Sequence, residues 1–174
     1  LPIHRFKKKS SRVFQQAHLV APAPFSNPNN YYHIAKRTAE EISGAFWANQ
    51  FENTANADAH YYGTGPELWD ACGGKIDIFV ASAGTGGTIG GITKYLSEKN
   101  LHTQSYLVDP TGSGLFSYIT TGEFKAEGNS ITEGIGINRL TQNFAQAKLK
   151  GAIQASDQEA IDLCHYLAKR EGLF

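Results

Sequence analysis

The chain has 174 residues, room for one domain with a substantial core, and its charges balance at Lys+Arg 16 against Asp+Glu 16. That balance gives no electrostatic footprint for nucleic acid or an acidic substrate, and no apolar run approaches the ~20 residues of a membrane-crossing helix. The two cysteines, Cys72 and Cys164, read as reduced, buried thiols of an intracellular protein rather than a disulfide.

The first residues carry a basic cluster, Arg5, Lys7, Lys8, Lys9 and Arg12, and no acid precedes Glu40. Such a cluster suits a solvated terminus, and also a presequence or a nuclear import patch. Pro22, Pro24 and Pro28 then predict an extended entry. Asn29 or Asn30 caps a predicted helix that runs to about Ser43 and stops at Gly44. Residues 45–48 suggest a strand leading to Gln50. Residues 54–59 and 66–72 suggest two short helices, the second with Pro66 in its first turn.

Ile76 to Ala83 is a nearly apolar run rich in β-formers, the pattern of a strand covered on both faces. The turn Gly84-Thr85-Gly86-Gly87-Thr88 follows, and a helix is predicted from Thr88 to Asn100 with Ile89, Ile92 and Leu96 on one stripe. Further strands are predicted over 103–109 and 148–155. Ser156-Asp157-Gln158-Glu159 is a capping box. It opens a helix with Ala160, Ile161, Cys164, Leu167 and Ala168 on one face, ended by Gly172. Leu173-Phe174 suggests a new strand. Strands alternating with helices predict an α/β fold with a parallel sheet and helices on both faces. The absence of methionine and that unfinished last strand predict an incomplete sequence.

The strand–turn–helix unit carries the chemistry. Glycine-rich backbone turns several N–H groups toward one point, the helix start adds unpaired amides and a positive dipole end, and Thr85 and Thr88 add hydroxyls. This is an anion cradle suited to phosphate. Spacing narrows the guest. G-x-G-x-x-G fails because Ile89 stands where the third glycine belongs, and no Gly-Lys-Ser/Thr closes a P-loop. A dinucleotide-dependent oxidoreductase, with Asp109 as the ribose-binding acid, is therefore the disfavoured alternative. The histidines have no zinc spacing. His60 reads as a packed or hydrogen-bonded residue, and Ser82 lacks the partners of a triad.

Gly84-Thr85-Gly86-Gly87-Thr88 after an apolar strand resembles the phosphate loop of pyridoxal-phosphate enzymes of the cysteine synthase and cystathionine β-synthase family, which share the tryptophan synthase β-like fold (fold type II). Other segments agree in order: Asn49-Gln50-Phe51-Glu52-Asn53 with Ala55-Asn56, His60-Tyr61-Tyr62-Gly63-Thr64-Gly65-Pro66-Glu67-Leu68-Trp69, Asp109-Pro110-Thr111-Gly112-Ser113, and Glu133-Gly134-Ile135-Gly136. The likeness runs from about Val20 to Phe174.

The resemblance implies a fragment of a two-domain enzyme. Residues 1–20 would be a basic segment without family likeness, 21–53 a remnant of the smaller mobile domain, and 54–174 part of the larger, phosphate-binding one. Gly84, Thr85, Gly86, Gly87 and Thr88 would hold the phosphate of pyridoxal 5'-phosphate, and Gly134 would line its ring. Gln50 would bind the substrate carboxylate through its amide N–H. Thr64 to Glu67 read mainly as a helix start. The implied reaction replaces a leaving group on the β-carbon of an activated serine with sulfide, giving cysteine, in a cytoplasmic or mitochondrial homodimer without metal. The family also needs a lysine in Schiff-base linkage to the cofactor. No lysine here has that setting, so the chain alone is expected to be inactive. A non-catalytic module that binds a phosphate ligand or a partner is the other alternative.

Overall fold

The computed structural model describes residues 18–173. The basic cluster from Arg5 to Arg12, and Phe174 of the suggested last strand, lie outside the described residues. The chain falls into two compact units, Leu1–Ala48 and Asn49–Phe174.

The described part of the first unit is an extended entry and one helix, α1 (Tyr31–Glu41). Asn30 is the N-cap. Its Oδ1 accepts from Tyr32 N–H at 2.9 Å while its Nδ2 donates to the Ala23 carbonyl at 2.6 Å, so one side chain starts the helix and fastens the proline-rich entry. Phe25, Tyr32, His33 and Trp47 form a ring cluster with centroids 4.8–5.4 Å apart. The strand suggested over 45–48 does not form. That stretch follows Gly44, at φ +78°, and is irregular. No strand among the described residues pairs with it, and a strand without a ladder leaves its backbone polar groups unpaired.

The second unit contains α2 (Ala55–Ala59), α3 (Gly65–Ala71), β1 (Ile78–Ala81), α4 (Gly87–Lys99), β2 (Gln104–Pro110), α5 (Leu115–Thr121), β3 (Gly151–Ala155) and α6 (Asp157–Arg170). The two short helices expected between Thr54 and Cys72 are one continuous helical run. A single π-helical turn, His60–Thr64, joins α2 to α3, closed by Gly65 N–H donating to the His60 carbonyl. Pro66 explains the widening. Having no N–H and a bulky ring, it disrupts the ladder just downstream, and the wider turn absorbs the mismatch.

Strands β1, β2 and β3 lie side by side in that order, all parallel. The register pairs Ala81 with Leu107 and Leu107 with Ala152, so these side chains share one face. On that face Ala83, Ile89, Leu107, Leu115 and Phe144 form the buried core, with Phe79, Ala81, Ile119, Ile137 and Ala152 packed at its margin. Helix α4 supplies Ile89 to this core and α5 supplies Leu115 and Ile119. The opposite face differs from the expectation that β1 is covered on both sides. Ile78, Val80 and Ile153 are 61%, 52% and 53% exposed. An apolar run reads the same whether one face or two are covered, and on this face Tyr106 and Val108 of the central strand are only partly covered.

Two other expectations are corrected. Cys72 and Cys164 are free, as expected, but exposed rather than buried. The capping box of α6 is present, with Ser156 N–H and Oγ both on Glu159 Oε2. Its expected apolar face is not packed. No residue of α6 is buried, and of Ala160, Ile161, Cys164, Leu167 and Ala168 only Leu167 is half-covered.

Candidate functional site

Strand β1 delivers the chain into the glycine turn at the carboxyl end of the sheet, where α4 begins. Gly86 stands at φ +85°, in the left-handed region that suits glycine. Gly84 and Gly87 are needed for a different reason, close contact. A Cβ on Gly84 would lie 2.1 Å from the Gly134 carbonyl oxygen, and one on Gly87 would lie 2.0 Å from Asn56 Oδ1. On Gly86 it would also strike the Phe144 backbone, at about 2.6 Å.

The loop is thus clamped from outside while its own donors stay free. The amides of Thr85, Gly86 and Thr88 donate to no group among the described residues, and Gly87 N–H makes only a long 3.4 Å contact to Thr85 Oγ1. The first ordinary bond of α4 is Gly90 N–H to the Gly86 carbonyl at 2.8 Å. Thr88 is exposed at the helix start. The donor set of main-chain amides, a threonine hydroxyl and a helix N-terminus suits a phosphate dianion, since hydrogen bonds to an ionised acceptor are the strong kind.

Three segments distant in sequence brace the loop. Asn56 Nδ2 lies 2.9 Å from both Thr85 Oγ1 and the Gln50 carbonyl. Thr141 Oγ1 donates to the Thr85 carbonyl at 2.8 Å. Asn143 is fully buried. It accepts from Ala57 N–H at 3.1 Å and donates to the carbonyls of Gln50 and Phe51 at 3.0 and 2.7 Å. Glu52 adds an ion pair with Arg139 and accepts from Gln142 N–H at 2.9 Å.

These contacts bring every predicted site residue into one neighbourhood. Gln50 heads a turn closed by Asn53 N–H on the Asn49 carbonyl at 2.8 Å. Asn49 stands at φ +44°, the only positive value of a non-glycine residue among the described residues, a costly conformation that fixes the direction in which Gln50 enters the turn. The Gln50 side chain is exposed. Gly134, at φ +82°, lays its carbonyl against Gly84, while Gly136 N–H donates to the Ala83 carbonyl at 2.8 Å.

Sequence reasoning missed Thr141 and Asn143. Asn56 stands out in the sequence only as part of a motif. Asn143 resembles any loop asparagine, and its partners lie far away in the chain. His60 is the hydrogen-bonded residue expected. Its Nε2 lies 3.1 Å from Thr88 Oγ1, and its Nδ1 lies 2.9 Å from Thr64 Oγ1.

Asp109 does not serve as a ribose-binding acid. It is completely buried and accepts from Phe116 N–H at 2.8 Å, while its other oxygen has no partner among the described residues. Burial pushes its carboxyl above the ordinary carboxylate range, against the opposing pull of the donors at Phe116, Ser113 and Leu115. Of the lysines, Lys94 lies over the Tyr61 ring and Lys99 over the Tyr95 ring. No group of three or more His, Cys, Asp or Glu side chains fit to hold a metal ion occurs among the described residues. No described helix is long and apolar enough to cross a membrane.

Fold and loop together define an α/β protein with an anion-receptive strand–loop–helix unit. Residues 11–174 match the family described as pyridoxal-phosphate dependent enzymes. The chain is 43% identical over 159 residues to a cysteine synthase of Dictyostelium discoideum, covering 86% of this chain and 42% of that protein. It is 47% identical over 163 residues to cysteine synthase 1 of Emericella nidulans, covering 89% and 44%. A solved structure, the O-acetylserine dependent cystathionine beta-synthase from Helicobacter pylori, superposes with a TM-score of 0.69 at 32% identity, covering 79% of this chain and 43% of that one. The chain therefore belongs to the pyridoxal-phosphate dependent enzyme family, and it spans less than half the length of these relatives.

Proposed function

We propose that this chain is the phosphate-anchoring part of a cysteine synthase, an enzyme that replaces the leaving group of an activated serine with sulfide. The observation that carries the reading is the set of unclaimed amides at Thr85, Gly86 and Thr88 beside the exposed Thr88 hydroxyl. The cysteine synthases among its relatives support the choice of reaction. When bound, pyridoxal phosphate draws electrons from the substrate α-carbon and so eases departure of the group on the β-carbon.

The chain's own residues bind and orient. Gly84 to Thr88 hold the phosphate, Gly134 lets the backbone approach the flat ring, and the Gln50 amide, directed by Asn49, meets the substrate carboxylate. Asn56 and Asn143 keep the carboxylate turn and the phosphate loop in fixed register, which is where positioning contributes to rate. The Schiff-base lysine lies in the remainder of the enzyme, so the 174 residues alone bind the cofactor phosphate weakly and do not turn over. The complete enzyme is a homodimer of the cytoplasm or the mitochondrion. One relative is named a putative mitochondrial cysteine synthase, of Saccharomyces cerevisiae.

Expressing a reading frame that contains this chain at the relatives' length in a cysteine auxotroph tests the proposal. Growth without cysteine is expected, with cysteine formed from O-acetylserine and sulfide in the extract. Binding of pyridoxal phosphate without cysteine formation would contradict the reaction and leave a phosphate-ligand module.

A further inference from the structure

The π-helical turn makes no contact that the phosphate reading requires, yet it is built with care. Its first residue, His60, is held between two hydroxyls, Thr64 Oγ1 at 2.9 Å from Nδ1 and Thr88 Oγ1 at 3.1 Å from Nε2. The turn lies directly against α4 because Gly91 has no side chain. A Cβ there would meet the Ala57 carbonyl oxygen at 2.2 Å, Tyr61 N at 2.7 Å and His60 Cβ at 2.8 Å. Gly91 and the π turn together bring the imidazole to the start of α4. A π turn inside a helix costs hydrogen-bond quality and is frequent at functional sites.

A neutral imidazole donates from one nitrogen and accepts at the other, so the chain of three groups has two arrangements. In one, Thr88 gives its proton to Nε2 and presents only lone pairs outward, which repel an anion. In the other, Thr64 donates to Nδ1 and Nε2–H donates to Thr88 Oγ1, leaving the Thr88 proton free to point at a ligand. Only the second adds a donor to the unclaimed amides beside it. We infer that His60 is a positioning residue of the phosphate cradle, fixing the Thr88 hydroxyl as a hydrogen-bond donor to the bound phosphate.

This rests on the reading of Gly84 to Thr88 as a phosphate loop, and the test separates the two. Deoxypyridoxine phosphate and deoxypyridoxine lack the aldehyde that would react with surface lysines. Both are titrated calorimetrically into the 174-residue chain and into His60→Phe, His60→Gln, Thr88→Val and the His60→Phe/Thr88→Val double variant. His60→Phe is expected to weaken the phosphate ligand about tenfold, the scale of one lost hydrogen bond to an anion, and to leave deoxypyridoxine unchanged. Thr88→Val is expected to lose a similar factor, and the double variant no more than Thr88→Val alone. His60→Gln, whose amide can donate from the place of Nε2, is expected to recover most of the affinity, and it serves if the Phe variant folds poorly. Equal weakening of both ligands by His60→Phe, or losses that add in the double variant, would overturn the inference. A loss on Thr88→Val without one on His60→Phe would overturn it while sparing the phosphate loop. A wild-type chain with no preference for the phosphate ligand would end both.

Discussion

At the scale of single residues, three asparagines and one aspartate show how polar side chains tie distant segments together or fail to. Asn143 satisfies three backbone groups of other segments, and Asn56 donates to the Gln50 carbonyl and the Thr85 hydroxyl, which fixes the glycine loop against the Gln50 turn. Asn30 does the same for the entry to α1. Asp109 is the contrary case, a buried carboxyl with one oxygen unpartnered among the described residues. Because burial raises its folded-state pKa above the unfolded value, the folded chain binds the proton more tightly than the unfolded one. The associated stability is present at acid pH and is lost as pH rises from the unfolded value through the raised folded one. Asp109→Asn removes the charge and keeps an acceptor for Phe116 N–H. Urea unfolding at neutral pH is expected to show the variant more stable by about 1 kcal/mol, with a flatter dependence on pH over the acidic range. A variant less stable at neutral pH would mean that the charged carboxylate is favoured where it lies.

At the scale of elements, the sheet has two unlike faces. Leu107 is fully buried in the core cluster, while Ile153 on neighbouring β3 points to the other side and is 53% exposed. Leu107→Ala is expected to cost about 2–5 kcal/mol and Ile153→Ala under about 1 kcal/mol in urea unfolding. Comparable costs would contradict the assignment of faces. This asymmetry was not legible in the sequence, because β1 reads as an unbroken apolar run and alternation appears only once a neighbour covers one side. Helix α6 was legible in extent, since Ser156 and Glu159 form a local signal. Its burial was not, since periodicity names a face without naming what packs on it. The stretch 45–48 had the composition of a strand but no partner. The π turn has no signal in the sequence, because Pro66 suits a helix start and a proline says nothing about whether the helix before it continues.

At the scale of the whole molecule, the glycine loop and the family were legible in the sequence, and the clamp around the loop was not. Gly84 to Thr88 are adjacent in sequence, so spacing alone sets this loop apart from the dinucleotide and P-loop patterns. Asn143 reaches Ala57 across 86 positions of the chain, and a pairing that distant leaves no mark on either local segment. Family membership follows from the match over residues 11–174, and the chain covers 42% and 44% of its two cysteine synthase relatives. Within that share lies the strand–loop–helix unit on which the account depends. The most direct test is an NMR titration of the isotope-labelled chain with deoxypyridoxine phosphate and, separately, with deoxypyridoxine. The main-chain amide resonances of Thr85, Gly86 and Thr88 are expected to move with the phosphate compound and stay in place with the other. Movement confined to amides elsewhere, or equal movement with both compounds, would contradict it.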